Sequence, residues 1–423
     1  MTDYEIIVIG GGPAGLAAAV EARKNGIDNI LILEREGELG GILQQCIHYG
    51  FGLHIFKEEL TGPEYAERFI DEVEALAIPY RTDTMVLDIS PQKEVSYINP
   101  VDGYRTVRAG AIVLAMGCRE NTRGAIGLPG SRPAGIFSAG AAQKMINIEG
   151  YMVGKKVVIM GTGDIGLIMA RRLALEGAEV KAIMARKPYP GGLTRNVVQC
   201  LHDYNIPLLL KHTITSVSGE ERVKGVTVVK LDDRERPLPG TEEFMECDTL
   251  LLSVGLIPEN ELSLKAGVEM DRGSRGPVVN ESRETSVEGI FACGNVLHVH
   301  DIVDFVTEES RIAGRAAADY VRAGAGRRVP SGREIAVEPG RGIKYIVPHT
   351  IDAAKIGDRI DLMLRVDRMY REARLILKGD GEILKTRKGV RIYPGEMEMI
   401  PLRADMLKDV SILSVEVEEV PEK

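Results

Sequence analysis

Two stretches of the chain share one pattern of apolar and glycine positions. Each begins with an apolar run, passes through a glycine-rich turn into a segment with helical spacing, and ends in a second apolar run. Glu5 to Gly41 reads EIIVIGGGPAGLAAAVEARKNGIDNILILEREGELGG, and Lys156 to Gly192 reads KVVIMGTGDIGLIMARRLALEGAEVKAIMARKPYPGG. They align without a gap at a constant offset of 151 residues (161 − 10). Each stretch is predicted to form a strand–helix–strand unit.

The glycines of each copy have three separate roles. The first permits a tight turn, the second lets the backbone approach a pyrophosphate, and the third lets the helix pack closely on the strand. The anion lies at the helix N-terminus, where unpaired N–H groups and the helix dipole favour negative charge. These glycines are Gly10, Gly12 and Gly15 in the first copy and Gly161, Gly163 and Gly166 in the second. Two dinucleotide sites in an α/β fold are therefore predicted.

The two copies differ where the adenosine ribose of a nucleotide is expected. Glu34 ends the second strand of the first copy, where a carboxylate can accept hydrogen bonds from ribose hydroxyls. The equivalent residue of the second copy is Ala185, followed by the basic Arg186, and nothing acidic is expected there. Arg186 could bind a 2′-phosphate, which favours NADPH, or could be an ordinary solvated residue. Asp164 suits the helix dipole but would repel a pyrophosphate, so occupancy of the second site stays open.

The C-terminal part of the chain has a different pattern. Residues 359–366 alternate between polar and apolar side chains, and the sequence around Gly379-Asp380-Gly381 is typical of a hairpin. We expect a small all-β domain after a linker near Pro330. It contains no candidate for catalysis. It could be a docking surface for a partner subunit or for a second copy of the chain, or a passive packing module.

Composition and charge narrow the class of protein. The net charge is −9 with scattered basic residues, so no nucleic-acid surface is expected. No apolar run is long enough to span a membrane, and the N-terminus lacks the pattern of a secretory signal. The five cysteines are widely spaced, which argues against a disulfide framework and against a zinc site. We expect a cytoplasmic protein without a bound metal.

The order of several motifs resembles the pyridine nucleotide–disulfide oxidoreductase superfamily. These motifs are GGGPAG, Glu34, IVLAMG at 112–117, GTGDIG, LLLSVGLIPEN at 250–260 and GIFACGN at 289–295. The resemblance covers roughly residues 1–327 and implies an FAD-binding domain with an NAD(P)-binding domain inserted in it. The expected domains are FAD-binding (1–122 and 256–327), NAD(P)-binding (123–255) and C-terminal β (328–423).

Within this superfamily, the chain is most similar to FAD-dependent subunits associated with glycerol-3-phosphate or 2-hydroxyacid dehydrogenase-like flavoproteins. That group is related to the amine, opine and cyanide-forming oxidase subunits. The resemblance implies FAD and NAD or NADP as cofactors, with electron transfer between them. It also implies a partnership with a flavoprotein dehydrogenase subunit, in a homo- or hetero-oligomer.

The resemblance further implies which residues bind the two nucleotides. The expected FAD-binding residues are Gly10, Gly12, Pro13, Ala14, Gly15, Glu34, Arg35, Gly41, Val86, Gly117 and Asn295. The expected NAD(P)-binding residues are Gly161, Gly163, Asp164, Ile165, Gly166, Arg186 and Gly255. Asn295 stands where the family usually has aspartate, and its amide can still bond a ribityl hydroxyl and donate to a phosphate.

Candidates for catalysis are few. The family's redox cysteine pair is missing, because Cys46 follows Gly41 at a different spacing and has no nearby partner in the sequence. Cys46 is either a redox thiol beside the flavin or a structural cysteine. His298 and His300 precede a predicted helix and could shape the flavin pocket, bind a metal together with Asp301, or serve ordinary polar packing.

Three functions remain open from the sequence. The first is an FAD-dependent, NAD(P)-linked oxidoreductase that forms one component of a larger dehydrogenase. The second is a stand-alone NAD(P)H:acceptor reductase or oxidase that uses Cys46. The third is an assembly subunit that keeps the fold without turnover.

Overall fold

The computed structural model describes residues 2–324, 333–357, 359–389 and 391–420. By its contacts the chain divides into two compact units. Unit 1 comprises residues 1–118 and 258–423, and unit 2 comprises residues 119–257. The second unit is thus inserted in the sequence of the first, and each is described here by itself. The expected boundary at 327/328 and the linker at Pro330 lie outside the described residues.

The first part of unit 1 is a twisted sheet with helices on one face. Its apolar runs give β1 and β2, which are parallel and almost fully buried. The elements are β1 (Tyr4–Ile9), α1 (Pro13–Lys24), β2 (Ile30–Leu33), β3 (Tyr49–Phe51), β4 (Leu60–Thr61), α2 (Gly62–Ala75), β5 (Tyr80–Arg81), β6 (Met85–Ile89), β7 (Glu94–Asn99) and β8 (Gly103–Leu114). Strands β5, β2, β1 and β8 are adjacent, and β7 and β6 continue the sheet as an antiparallel extension.

Unit 2 repeats the parallel arrangement on a smaller scale. Its elements are β9 (Cys118–Glu120), β10 (Ile136–Ser138), α3 (Ala139–Asn147), β11 (Lys156–Met160), α4 (Asp164–Leu175), β12 (Glu179–Ala185), α5 (Thr194–Cys200), β13 (Leu208–Leu210), β14 (His212–Gly219), β15 (Val223–Lys230), β16 (Glu243–Glu246), β17 (Thr249–Leu252) and β18 (Leu256–Pro258). Five parallel strands lie in the order β10-β17-β11-β12-β13, and β14, β15 and β16 form a separate antiparallel sheet.

The chain then returns to unit 1. The remaining elements are α6 (Glu261–Lys265), β19 (Ile290–Ala292), α7 (Val303–Ala323), β20 (Glu334–Pro339), β21 (Ile343–Val347), β22 (Thr350–Asp352), β23 (Arg359–Val366), β24 (Ala373–Gly379), β25 (Glu382–Gly389), β26 (Glu398–Arg403) and β27 (Ile412–Glu419). Strand β19 pairs with β8 in the first sheet, and α7 packs along α1. Two apolar cores lie on the two faces of that sheet.

The C-terminal strands form two sheets around a core of their own. One sheet has the order β22-β20-β27-β24-β25, the other β21-β23-β26. The predicted hairpin is present, because β24 and β25 pair antiparallel across Asp380 and Gly381. Tyr345 and Val347 of β21 leave this core and pack instead with Val279 and Leu297 of the first sheet's core. The predicted fold class is confirmed, and the C-terminal β domain packs on the core of the first sheet within unit 1.

Candidate functional site

The first glycine turn is built of backbone that approaches other backbone closely. Gly10 has φ +104°, and a Cβ there would lie 2.4 Å from the carbonyl oxygen of Ala115. A Cβ on Gly15 would lie 1.8 Å from the carbonyl oxygen of Gly10. A side chain on Gly10 would push the turn away from the residues after β8, and one on Gly15 would force helix α1 away from strand β1. Both glycines are therefore required by packing, whatever the turn binds.

The geometry around Gly12 fits a dinucleotide. Helix α1 begins at Pro13, and no side chain in the described residues caps its N-terminus. Gly12 itself has room, because a Cβ there would meet only the Cα of Gly41, at 3.9 Å. The turn thus presents first-turn N–H groups and a surface without side chains, as an approaching diphosphate requires. The residues present would hold the pyrophosphate of FAD here.

Other expected FAD residues lie at the same end of the sheet. The buried carboxylate of Glu34 accepts hydrogen bonds from the backbone N–H groups of Gly11 (2.6 Å) and Glu36 (2.8 Å). These bonds fix the carboxylate against the glycine turn at the end of β2. Arg35 is half-exposed beside Glu36, and Val86 is buried in β6.

Asn295 lies in a tight turn against helix α1. Gly294, with φ +73°, packs so closely on Ala14 that a Cβ would lie 2.8 Å from the alanine Cβ. The side-chain oxygen of Asn295 accepts from the N–H of His300 (2.9 Å), and its amide donates to Sγ of Cys118 (3.6 Å). The structure therefore brings this turn to the first glycine turn, and Gly117 is the neighbour of Cys118 in the sequence.

The second glycine turn repeats the geometry of the first. Gly161 has φ +107°, and a Cβ there would lie 1.9 Å from the carbonyl oxygen of Ser253. A Cβ on Gly166 would lie 2.6 Å from the carbonyl oxygen of Gly161. Helix α4 has Gly163 as its N-cap, and no side chain in the described part of the chain caps it. This second helix N-terminus likewise fits a dinucleotide pyrophosphate.

Asp164 has partners of its own at this turn. Its Oδ1 accepts from the N–H of Leu193 (2.9 Å) and from the amide of Asn196 (2.6 Å). The carboxylate thereby holds the segment after Gly192 over the start of α4, which the sequence pattern did not indicate. The neighbouring Ile165 is partly buried and packs on the core of unit 2. Gly255, with φ +102°, lies near the amide of Asn121.

The residues at the end of β12 are not acidic, as the sequence shows, but a carboxylate from outside the repeat pairs with them. Arg186 Nε lies 3.3 Å from a carboxylate oxygen of Glu235, and Lys187 Nζ contacts the other carboxylate oxygen. Glu235 comes from the loop between β15 and β16, 49 residues from Arg186 in sequence. Sequence comparison of the two copies could not reveal it, because the carboxylate comes from outside the repeat.

Cys46 is half-buried rather than placed as a reactive thiol. Burial raises the pKa of the thiol to about 12, and its Sγ donates to the carbonyl oxygen of Ile42 (3.3 Å). A protonated thiol is a poor nucleophile. Across the described residues, which include all five cysteines, none forms a disulfide.

His298 and His300 meet a residue that the sequence analysis did not single out. Both Nε2 atoms lie against the carboxylate of Glu309 in α7, at 3.1 and 3.0 Å. Glu309 also accepts from Arg283 Nε (3.0 Å) and from the N–H of Gly294 (2.9 Å). Four donors thus converge on one buried carboxylate. We name Arg283, His298, His300 and Glu309 the Glu309 cluster.

The cluster ties the Gly294–Asn295 turn to α7 electrostatically. Burial alone would raise the pKa of Glu309, but His298 and His300 hold it well below its usual value. Burial lowers the pKa of His298 to about 4, so this ring is neutral at pH 7. Neither Nδ1 atom of the two histidines has a partner among the described residues.

The arrangement favours hydrogen bonding over metal binding. The ligand atoms of His298, His300 and Glu309 lie within 4.8 Å of one another, close enough for a metal ion. However, the carboxylate already accepts from Arg283 and Gly294, and a guanidinium beside it would repel a cation. Asp301, the third member of the suggested H-x-H-D site, does not join the histidines. It pairs with Arg365 instead.

Arg365 of β23 anchors the C-terminal β domain to the loop after Asn295. Its guanidinium pairs with Asp301 and donates to the carbonyl oxygen of Val299 (2.9 Å), while its Nε donates to the hydroxyl of Tyr345 (3.1 Å). Asp301 also accepts from the N–H of Met397 (2.6 Å). Two buried ionic networks therefore fix the 294–301 loop. One is the Glu309 cluster, and the other is formed by Arg365 of the C-terminal domain.

A sequence signal existed for Glu309 but not for Arg365. Glu309 occupies a position on α7 whose helical neighbours Val306 and Ala313 are buried, so a charge at this position indicates a buried partner. In the sequence of β23, Arg365 occupies one of the charged positions that alternate with apolar ones, a pattern typical of a solvent-exposed residue. Only the packing of the C-terminal domain on unit 1 shows that it is buried.

Comparison with known proteins assigns this geometry to a family. Residues 4–323 match the family profile described as pyridine nucleotide-disulphide oxidoreductase. The chain belongs to this family, whose members are FAD-dependent pyridine nucleotide oxidoreductases, and its cofactors are FAD and NAD or NADP. In the described residues, no helix is long and apolar enough to cross a membrane.

Curated relatives include components of larger enzymes. The chain is 26% identical over 348 residues to the glutamate synthase [NADPH] small chain of Halomonas elongata, covering 76% of this chain and 68% of that one. It is 26% identical over 344 residues to an opine oxidase subunit from Agrobacterium tumefaciens, covering 74% of this chain and 64% of the relative. The match thus spans about two thirds of the length of these relatives.

Solved structures share the fold. The thioredoxin reductase of T. acidophilum superposes with a TM-score of 0.61 at 24% identity, covering 75% of this chain and 99% of its own. The NAD-dependent persulfide reductase of A. fulgidus covers 89% of this chain and 67% of its own, with a TM-score of 0.58 and 19% identity. About a quarter of the chain therefore lies beyond the part shared with the thioredoxin reductase.

Acidification should destabilise the protein through His298. Its folded pKa of about 4 lies below the ordinary value of 6.5, so the unfolded chain binds more protons between these values. Stability present at pH 7 should therefore fall as the pH drops from about 6.5 to 4, by on the order of 3 kcal/mol. Urea unfolding of wild type and His298→Gln across this range measures it. The His298→Gln variant should show a shallower decline. His202→Gln, at an exposed histidine, should follow wild type. Equal slopes for all three proteins would contradict the lowered pKa of His298.

The Arg365–Asp301 pair should be energetically coupled. We expect a double-mutant cycle of Arg365→Met and Asp301→Asn to give a coupling energy of about 1–3 kcal/mol, because the pair is largely buried. The exposed Arg359–Asp361 pair of the same strand is the matched control and should give about 0–1 kcal/mol. Denaturant unfolding supplies the four free energies of each cycle. A coupling no larger than that of the control would show that Arg365 does not anchor the loop.

Proposed function

We propose that this chain passes electrons between a flavin held by unit 1 and a nicotinamide nucleotide held by unit 2, as one component of a larger dehydrogenase. The observation that carries the proposal is the duplicated glycine turn. Gly12 and Gly163 each open an uncapped helix of twelve residues, with space in front of the turn. The room is that for a Cβ at each glycine, and at the second turn the segment that Asp164 holds lies over the start of α4. Two such turns in one chain provide for two dinucleotides, as hydride exchange between them requires.

The chain's contribution to this reaction is binding and orientation. FAD supplies the electron-accepting chemistry when bound, and the protein positions it. In our proposal the Gly12 turn and α1 bind the diphosphate, and Asn295 offers its amide to the ribityl chain or phosphate. The Glu309 cluster fixes the turn that carries Asn295, through the bond from the Gly294 N–H. No side chain is required to donate or accept a covalent bond.

The proposed multi-component role rests on relatives and resemblance. A glutamate synthase small chain and an opine oxidase subunit are among the relatives, so similar chains operate within assemblies. We propose a partner flavoprotein that oxidises a small substrate, of the glycerol-3-phosphate or 2-hydroxyacid type that the motif order favours. We also propose a cytoplasmic location, because five cysteines without a disulfide are typical of a reducing compartment.

Anaerobic addition of NADH or NADPH to the purified yellow protein tests the proposal directly. We expect one of the nucleotides to bleach the visible flavin band. Gly12→Ala should lose flavin, since the added methyl group occupies the space in front of the first turn. Gly163→Ala should retain flavin but be reduced more slowly, on the order of a hundredfold, because the nucleotide is displaced. Both glycines have ordinary φ and room for a Cβ, so the fold should tolerate the changes.

The outcomes separate the three functions. A protein that stays colourless when folded with FAD would contradict the flavin assignment. A yellow protein that neither nucleotide bleaches, and that co-purifies with a fixed partner, would favour an assembly subunit without turnover. Equal reduction rates for wild type and Gly163→Ala would mean that the second turn is not the nucleotide site.

Replacement of Cys46 distinguishes the stand-alone thiol reductase. Because burial raises the pKa of this thiol, we expect Cys46→Ser to leave the rate of flavin reduction by the nucleotide within about twofold of wild type. Single-turnover reduction, followed by reoxidation with an artificial acceptor, measures both half-reactions. Loss of reoxidation in Cys46→Ser, with flavin content retained, would restore the redox-thiol function.

A further inference from the structure

The end of strand β12 carries a carboxylate that the repeat does not encode. Ala185 is the last residue of β12 and corresponds by the repeat offset to Glu34, the ribose candidate of the first copy. In the structure Glu235 pairs with Arg186 and Lys187, the two residues that follow this position. One of its carboxylate oxygens is 3.3 Å from Arg186 Nε, and Arg186 Nη2 donates to its backbone carbonyl at 3.1 Å. Both copies therefore have an acidic group near the end of the second strand.

The loop that carries Glu235 is held in shape by its own hydrogen bonds. Glu235 has φ +58°, and its N–H donates to the carbonyl oxygen of Asp232 (2.9 Å). The carboxylate of Asp232 accepts from the N–H groups of Arg234 and Arg236, both at 2.9 Å. The turn thus places Glu235 before any ligand arrives. A preorganised carboxylate loses little conformational freedom when it binds a hydroxyl group.

The charges at this position oppose a 2′-phosphate. Hydrogen bonds from Lys187, followed by its charge and that of Arg186, hold the pKa of Glu235 below its ordinary value, so the side chain is ionised at pH 7. A 2′-phosphate would need the same guanidinium and ammonium groups and would be repelled by the carboxylate. Two further cations of the loop region also have carboxylates, Lys211 with Asp233 and Arg236 with Asp232. A ribose diol, in contrast, can donate to Glu235 without displacing an ion pair.

Arg186 also lines a cleft within unit 2. The cleft is lined by Met160, which precedes Gly161, and by apolar side chains that include Ile126, Leu128 and Ile214. The Arg186–Glu235 pair thus stands at the edge of a space that begins beside the proposed pyrophosphate site. This is where the adenosine half of the nucleotide would extend from the turn.

We propose that Glu235 is the ribose-binding carboxylate of the second site and makes the site select NADH over NADPH. The inference rests on the proposed function, because it assumes that the second glycine turn binds a nicotinamide nucleotide. It reverses the preference that Arg186 suggests from sequence. Glu235 performs the task that Glu34 performs in the first copy, from a hairpin loop instead of the strand end.

Binding of the oxidised nucleotides tests the proposal without turnover. Dissociation constants of NAD⁺ and NADP⁺ are measured by calorimetry on the FAD-loaded protein, for wild type, Glu235→Gln and Asp233→Asn. We expect wild type to bind NAD⁺ more tightly. Glu235→Gln should weaken NAD⁺ by about tenfold and strengthen NADP⁺, because a charged hydrogen-bond acceptor is lost and Arg186 and Lys187 become available. Asp233→Asn removes the same charge from the same loop, and its ratio should stay that of wild type.

Each outcome either supports or overturns the role proposed for Glu235. Tighter binding of NADP⁺ than of NAD⁺ by wild type would overturn the inference while leaving the proposed function intact. An unchanged ratio in Glu235→Gln, or an equal shift in Asp233→Asn, would overturn the role of Glu235, the latter because a general charge effect would explain it. Binding of neither nucleotide would overturn both proposals together. Glu235→Ala, measured in parallel, should move the ratio in the same direction as Glu235→Gln.

Discussion

The protein depends on the close approach of backbone to backbone at its two glycine turns. At Gly10 and Gly161 the chain has positive φ, and a Cβ at either position would collide with a carbonyl oxygen just after a neighbouring strand, that of Ala115 or of Ser253. At Gly15 and Gly166 the following helix rests on the turn itself. Only glycine allows both contacts, and together they place an uncapped helix N-terminus at the edge of a parallel sheet. The packing of each helix on its strand follows from this one constraint.

Around the first turn, buried charged side chains fix the position of the 294–301 loop. The Glu309 cluster gathers donors from the 294–301 loop and from Arg283 on one carboxylate of α7, which fixes the turn bearing Asn295. Arg365 fixes the other end of that loop from the C-terminal domain. The family match ends at residue 323, before this domain. Its contact with the loop therefore helps to fix the turn that carries Asn295.

Around the second turn, the two copies reach a similar arrangement by different routes. Glu34 is encoded within its own repeat and bonded to the adjacent Gly11 N–H. Glu235 comes from a hairpin of a separate sheet and is held by Arg186 and Lys187. Asp164, which opposes an anion when only its sequence position is considered, accepts bonds from Leu193 and Asn196 instead. Alignment of the two copies therefore identifies Glu34 at the end of β2, but it does not identify Glu235, which pairs with residues at the end of β12.

The sequence by itself determined the local features: the paired strand–helix–strand units, the glycine turns, the Gly379–Gly381 hairpin and the α/β class. Each depends on apolar periodicity or backbone freedom within a few residues, and both can be read along the chain. Tertiary structure alone decided which charges meet. Glu309 with His298, Arg365 with Asp301, and Glu235 with Arg186 join segments that are remote or unrelated in pattern. Their burial and pairing depend on how whole elements pack, and no short-range pattern encodes that.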